Sequence, residues 1–168
     1  MTNETQTDTQ VERSVTHSTF TLERTLASPP AAVFAAFADA KTKERWFGGP
    51  PEWDAMHEMD FRVGGREVSA GGPPEGPEHR MDGIYWDIIP DRRIVFTYEM
   101  HLKFSEQDDR RISVSLQTIE FEPHGSGTRL TLIEAGAYLD GYDDAGQREH
   151  GTNELIDAMV AVVDGARA

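Results

Sequence analysis

The clearest pattern in the chain is a two-residue alternation of apolar and polar side chains, which recurs between about residues 20 and 136. In its first segment Phe20, Leu22, Arg24 and Leu26 share one side, and three threonines and Glu23 share the other. Successive side chains of a β-strand point to opposite faces of its sheet. This segment is therefore predicted to be a half-buried strand.

Two short helices are predicted directly after this strand. Ser28 is expected to be the N-cap and Pro29 the first helical residue, because these residue types favour those positions. Three apolar residues within the alanine-rich segment 33–37 then fall at helical spacing. Asp39 is expected to cap a second helix, which ends near Phe47, before two glycines and two prolines.

From about residue 54 to residue 136 the sequence predicts a run of strands joined by turns, without a helical segment between them. The predicted connections are rich in glycine, proline and short polar residues: Gly64–Gly65, Gly71–Pro77, Pro90–Asp91, Ser105–Asp109 and Gly125–Gly127. Strands that follow one another through short turns form an antiparallel meander rather than βαβ units.

One strand of this run changes the side on which its apolar residues lie. Three even-numbered apolar positions are predicted to face the interior: Ile112, Val114 and Leu116. The apolar residues then move to odd positions at Ile119 and Phe121. Such a change of parity predicts a β-bulge near Gln117–Thr118.

A long helix is predicted at the C-terminal end, between Asp143–Asp144 and Gly165. Its apolar residues form two neighbouring stripes, Leu155, Met159 and Val162 beside Ile156, Val160 and Val163. A helix of about 20 residues spans roughly 30 Å, which is enough to cross a curved sheet. We expect this helix to cover the apolar face of the strands.

The order of these elements resembles the helix-grip fold of the START-like (SRPBCC) superfamily, which includes lipid-transfer and polyketide-cyclase-like proteins. Local motifs resemble, in order, those of bacterial proteins similar to the C-terminal domain of the activator of the ninety-kilodalton heat-shock chaperone's ATPase. These motifs are Ala27–Phe34, Phe37–Asp39, Arg45–Gly48, Val63–Arg66, Gly83–Tyr85, Pro90–Thr97 and Gly127–Leu132. The resemblance covers about residues 20–165.

The resemblance implies an α+β helix-grip fold, with a curved antiparallel sheet of about six or seven strands wrapped around the long C-terminal helix. It also implies a cavity between the sheet and that helix. Related proteins often carry a Gly-Trp pair at the start of the last helix, where the tryptophan would pack at the cavity mouth. In this chain Gly151 is followed by Thr152, so the pocket is expected to differ in shape.

The length of the chain limits the number of domains, and its charge and composition limit the partners and the location that we expect. The chain has 168 residues, and we expect a flexible tail over residues 1–15 and a single domain over residues 16–168. The formal net charge of −14 disfavours binding to nucleic acid or to anionic membrane surfaces. The sequence contains no signal peptide, membrane-spanning run or cysteine, so a cytoplasmic location is expected.

Motifs for catalysis, metals and cofactors are not found. His57-Glu58 begins a zinc-protease motif, but its fifth position is Phe61, and the six histidines show no ligand spacing. Gly125–Gly127 lies between strands, unlike a nucleophile elbow, and the glycine pairs lack the helix that a phosphate-binding loop requires. We therefore predict no catalytic residues, no metal and no cofactor.

The expected cavity supplies the candidate binding residues. They are bulky apolar or aromatic side chains, several of them adaptable methionines, together with one histidine: Trp46, Phe47, Met56, Met59, His79, Met81, Tyr85, Phe96, Tyr98, Met100, Leu116, Met159 and Val163. His79, Arg80 and Glu134 are the polar residues best placed to reach the cavity, although the general surface preference of charged side chains favours exposure to solvent for them.

Three functions fit this sequence. The first is binding of a hydrophobic small molecule in the cavity without covalent chemistry. The second is a polyketide cyclase-like or dehydratase-like enzyme, which requires a buried titratable group. The third is an interaction module for a chaperone or another protein, which requires an exposed apolar patch.

Overall fold

The structure is a computed structural model that describes residues 12–165. Its seven strands are β1 (Val15–Leu26), β2 (Met56–Met59), β3 (Arg66–Gly71), β4 (Glu78–Ile89), β5 (Arg93–Ser105), β6 (Asp108–His124) and β7 (Gly127–Leu139). Its helices are α1 (Pro30–Ala38), α2 (Ala40–Lys43) and α3 (Ala145–Gly165), with a 3₁₀ turn over Pro51–Trp53. Residues 1–11 of the expected tail lie outside the described part of the chain.

All seven strands form one antiparallel sheet in the order β1-β7-β6-β5-β4-β3-β2. The last six strands are a continuous meander, as predicted. β1 completes the sheet by pairing with β7 along its whole length, from Val15 opposite Leu139 to Leu26 opposite Thr128. The sheet is curved and α3 follows it, which confirms the α+β helix-grip fold.

α3 packs on the sheet through one face. Its buried residues are Thr152, Ile156, Met159 and Val163, which repeat at the spacing of one helical face. Arg24 of β1 holds this helix from the side, with Nε 2.8 Å from Asp157 Oδ1 and Nη2 2.8 Å from Asn153 Oδ1. The helix is therefore fixed by an apolar face and by polar contacts at the edge of the sheet.

The caps of the short helices differ in part from the prediction. α1 begins at Pro30, and Pro29 occupies the N-cap position. The predicted role of Ser28 is wrong, because its hydroxyl donates to Asp164 near the end of α3, with an Oγ–Oδ1 distance of 2.8 Å. The predicted role of Asp39 is confirmed, since its carboxylate accepts from the backbone N–H of Thr42 at 3.0 Å.

The predicted bulge lies at another position. Met100 pairs with Ser113 and His101 pairs with Arg111, so Ile112 is the extra residue of β6. After this bulge the odd positions face inward throughout, and no change of parity occurs at Gln117–Thr118. Val114 and Leu116 therefore lie on the outer face, although both are apolar.

Candidate functional site

A cavity of about 1090 Å³ lies between the inner face of the sheet, the first half of α3 and the segment from Lys43 to His57. Its volume is slightly above the range typical of small-molecule sites, about 300–1,000 Å³. Eight aromatic and three methionine side chains are among the residues that line it, and Thr152 lines it from α3. The space is therefore a pocket of mixed character, in which a large apolar surface is joined by polar and charged groups.

Nine of the thirteen predicted binding residues line this cavity. They come from the segment after α2 and from strands β2, β4 and β5: Trp46, Phe47, Met56, His79, Met81, Tyr85, Phe96, Tyr98 and Met100. Alternation places Met81 and Tyr85 of β4 on the same face as Phe96 and Met100 of the paired strand β5. The central strands β4 and β5 thus form the floor of the cavity.

Four predicted residues are not among those that line the cavity. Leu116 is 45% exposed on the outer face of the sheet, because the bulge at Ile112 reverses the expected parity. Met159 is completely enclosed in the core under α3 and Val163 is buried further along that helix. Met59 is only partly buried and packs against the core from β2.

The three polar residues predicted to reach the cavity have different environments. His79 lines the cavity and stacks on Trp53, with ring centroids 5.2 Å apart. Burial lowers the pKa of His79, and the negative charge of Asp143 opposes that effect. Arg80 lies on the outer face, where it pairs with Asp82, so it does not reach the cavity. Glu134 is fully buried on the inner side of the sheet.

A buried cluster of four residues, here called the Glu67 cluster, was not predicted from the sequence. Lys43 Nζ lies 2.6 Å from Oε1 and 2.8 Å from Oε2 of Glu67. His57 Nε2 lies 2.8 Å from Oε1, and the Tyr85 hydroxyl donates to Oε2. All four residues also line the cavity. A single carboxylate therefore organises one end of the pocket wall.

The protonation state of the Glu67 cluster follows from these contacts. Burial alone would raise the pKa of the Glu67 carboxyl, but the Lys43 charge and the three hydrogen bonds lower it to about 2. Burial lowers the pKa of Lys43, and the attraction of Glu67 offsets part of that effect. Burial and the nearby carboxylate both raise the pKa of Tyr85. Glu67 is therefore ionised and Tyr85 is neutral at physiological pH.

A second polar group, here called the Arg148 cluster, joins α3 to the sheet. Arg148 donates to the Tyr98 hydroxyl at 3.1 Å and to Ser113 Oγ at 2.8 Å, and it pairs with Asp143. The Tyr98 hydroxyl donates to Glu134 Oε1 at 2.6 Å. The Arg148 guanidinium is 3.6 Å from the same Glu134 oxygen.

The contacts within the Arg148 cluster also determine the protonation states of Tyr98 and Arg148. Burial and the nearby Glu134 carboxylate raise the pKa of Tyr98, and the positive charge of Arg148 opposes them. Burial tends to lower the pKa of Arg148, but its interactions with Tyr98, Asp143 and Glu134 raise it above its usual value. A neutral phenol and a paired guanidinium therefore form this part of the wall.

The Glu67 cluster could not be predicted from the alternation of apolar and polar residues, and the reason is physical. In β3 the charged residue Glu67 is fully buried, whereas its apolar neighbour Val68 is only partly buried. A buried charge is tolerated when hydrogen bonds and an opposite charge compensate it, and those partners come from distant segments. Only the tertiary structure brings Lys43 and Tyr85 to this carboxylate.

Two features of the described residues bear on metal binding and on membrane insertion. Residues 12–165 contain no group of three or more His, Asp or Glu side chains arranged to hold a metal ion. In the same part of the chain, none of the helices has both the length and the apolar composition needed to cross a membrane.

Comparison with known proteins places the chain in a family. The family model described as "Activator of Hsp90 ATPase homolog 1-like protein" matches residues 27–164. A search of curated proteins found no match.

Several solved structures are similar over nearly the whole chain. A protein from Rhizobium loti shares 48% identity and a TM-score of 0.81, covering 89% of this chain and 99% of its own. A protein from Rhizobium leguminosarum shares 38% identity and a TM-score of 0.82, covering 90% and 97%. A protein from Chromobacterium violaceum, at 23% identity and a TM-score of 0.69, covers 87% and 96% and has the same fold. The chain belongs to the family of Activator of Hsp90 ATPase homolog 1-like proteins.

Proposed function

We propose that this protein binds an apolar small molecule in the cavity between the sheet and α3, without covalent chemistry. The cavity of about 1090 Å³ with aromatic and methionine walls is the observation that carries this proposal. Cores of folded proteins are normally close-packed, so a space of this size needs an explanation. Methionine side chains such as Met81 and Met100 adapt to ligands of different shape, which suits a binding wall.

The proposal is tested by filling the cavity from its floor. Met100→Trp adds bulk to the pocket, whereas Leu116→Trp adds the same ring to the outer face of the neighbouring strand. We expect the neutral fluorophore Nile red to bind the wild type and Leu116→Trp, and to bind Met100→Trp at least about tenfold more weakly, as expected when apolar contact area is lost. Equal binding by all three proteins would contradict the proposal.

A second cavity-filling variant keeps the test possible if Met100→Trp does not fold. Thr152→Trp places the ring at the position where related sequences often carry tryptophan, on the cavity side of α3. Far-UV circular dichroism reports whether each variant folds. A folded Thr152→Trp protein that takes up Nile red as well as the wild type does would count against a ligand in this space.

The outer face of the sheet favours a second candidate, an interaction module. Trp86 is 57% exposed, and Val114, Leu116 and Ile133 are exposed on the same face. Exposed apolar groups of this kind often mark protein-binding surfaces. If this face binds a protein, Leu116→Asp abolishes capture of that partner from the extract of its own cells, and Met100→Trp leaves the capture unchanged.

A further inference from the structure

His57 presents an unsatisfied nitrogen in the wall of the cavity. Its side chain is more than nine-tenths buried, and its Nε2 atom lies 2.8 Å from Glu67 Oε1. Among residues 12–165, the other ring nitrogen, Nδ1, has no hydrogen-bond partner. Buried polar atoms in folded proteins nearly always have a partner, so this atom indicates a place that a ligand would complete.

The contacts of Glu67 determine what kind of partner Nδ1 needs. Glu67 is ionised and can only accept hydrogen bonds, so the Nε2 atom of His57 carries the hydrogen that it donates. Lys43 Nζ lies 2.6 Å from the same carboxylate oxygen and already supplies one balancing positive charge, so a second cation at His57 would be buried without a carboxylate of its own. The imidazole that matches this arrangement is neutral, and its other nitrogen has a free lone pair and is an acceptor. The complementary ligand group is therefore a donor, such as a hydroxyl.

The charges in the wall determine the charge of the ligand. Lys43 contacts both oxygens of Glu67, and Arg148 is paired with Asp143 and lies close to Glu134. In the described wall of the cavity these two buried cations thus already have carboxylate partners. A ligand carboxylate would be buried beside ionised Glu67 without a cation of its own, which is costly. A neutral ligand avoids this cost.

Aromatic side chains surround His57 in the wall of the cavity. The rings of Phe47 and His57 pack with centroids 5.5 Å apart, and Trp46 packs edge-on against Phe47 at 5.8 Å. Phe47 is partly buried, at the border between the core and the cavity. An apolar ring bound beside His57 would therefore contact these aromatic side chains.

We propose that the cavity selects neutral apolar molecules that carry a hydroxyl group, and that this hydroxyl donates a hydrogen bond to Nδ1 of His57. The inference deepens the proposed function and rests on it. It makes His57 a specificity-determining residue, with Glu67 as the residue that orients its ring.

The experiment compares three probes that share one ring system: naphthol, its methyl ether and the corresponding naphthoate. Each competes with Nile red for the wild-type protein. We expect naphthol to compete roughly threefold to tenfold more strongly than the ether, the ratio that one net hydrogen bond provides. The naphthoate should compete least. Naphthol that competes no better than its ether would overturn the inference.

Two histidine variants locate the effect. His57→Phe keeps an aromatic ring against Phe47 but has no ring nitrogen, so the ratio of naphthol to ether should fall to about one. His79→Phe makes the same change at the other cavity histidine and should leave the ratio unchanged. An unchanged ratio in folded His57→Phe would overturn the assignment.

A second measurement uses the wild type alone, so it remains available if His57→Phe does not fold. In nitrogen-15 NMR of the wild type, the Nδ1 resonance of His57 should move on addition of naphthol and stay in place with the ether. The same shift with both probes would overturn the inference. If Nile red itself does not bind the wild type, the proposed function fails, whereas binding of Nile red without selection for the hydroxyl refutes only the role of His57.

Discussion

At the scale of single residues, Lys43 and Glu67 depend on each other. Both are buried, with Lys43 only 7% exposed and Glu67 completely enclosed, and two N–O distances below 3 Å join them. Removing one partner of such a pair leaves the other charge buried without compensation, whereas removing both can be nearly neutral. The Lys43–Glu67 pair therefore stabilises the local fold, and both residues are also part of the cavity wall.

This dependence predicts a non-additive pair of substitutions. Lys43→Met should lower the free energy of unfolding by about 3–5 kcal/mol, because Glu67 remains buried and unpaired. The double variant Lys43→Met with Glu67→Gln, which has no charge at either position, should recover most of that loss. Urea denaturation measures both values. Losses that simply add in the double variant would contradict this account.

The same carboxylate predicts how stability depends on acid. The pKa of Glu67 is about 2 in the folded protein, against an ordinary value of 4.5. A lowered pKa gives stability that is present above pH 4.5 and is lost as the pH falls toward 2. The difference corresponds to roughly 3 kcal/mol. Between these pH values the wild type should lose about that much more unfolding free energy than the double variant, whereas parallel curves would refute the effect.

At the scale of elements, glycines in β4 and α3 have opposite roles. A Cβ atom on Gly83 of β4 would lie 2.1 Å from Cζ of Phe96 and 2.9 Å from the carbonyl oxygen of Thr97. Gly83 therefore lets the Phe96 ring lie flat on the floor of the cavity. A Cβ atom on Gly151 of α3 would meet no atom within 4 Å.

These surroundings predict substitutions of opposite sign. Gly83→Ala should destabilise the protein by about 1–3 kcal/mol through overpacking. Gly151→Ala should stabilise it by about 0.5–1 kcal/mol, because alanine loses less backbone entropy in a helix. Thermal unfolding of the two variants measures both effects. A lower melting temperature for Gly151→Ala, or an unchanged one for Gly83→Ala, would contradict the packing described here.

The elements also show what the sequence could predict. Periodicity located every strand after residue 54 and the long helix, because side-chain period follows directly from backbone geometry. It misassigned one part of β6, where Ser113 is enclosed while Leu116 is exposed. Ser113 is tolerated inside because it accepts a hydrogen bond from Arg148 at 2.8 Å. Alternation distinguishes the two faces of a strand, but partners from other elements decide which face is buried.

The apolar residues of the candidate site could be predicted from the sequence, but its polar residues could not. Large apolar residues such as Phe96 and Met100 were found because they lie on the inward positions of a regular strand. His57, Glu67 and Arg148 were missed, because their roles depend on contacts between segments far apart in sequence. A charged residue is predicted to lie at the surface unless the residue that would pair with its charge is known.

At the scale of the whole molecule, charge and shape favour the same class of ligand. The net charge of −14 repels anions in general. Inside, Lys43 and Arg148 already have carboxylate partners, so the cavity offers apolar surface and hydrogen bonds. The sheet and α3 enclose this space from opposite sides. We therefore propose, as the central claim, that the cavity takes up a neutral apolar molecule.

Native mass spectrometry of the purified protein tests that claim most directly. The protein is measured as isolated, again after extraction with organic solvent, and again after incubation of the extracted protein with Nile red. We predict a discrete adduct that extraction removes, an adduct of one Nile red molecule on the extracted protein, and neither adduct on Met100→Trp. A wild-type protein that shows only the calculated mass of the chain, both as isolated and with Nile red, would contradict the account.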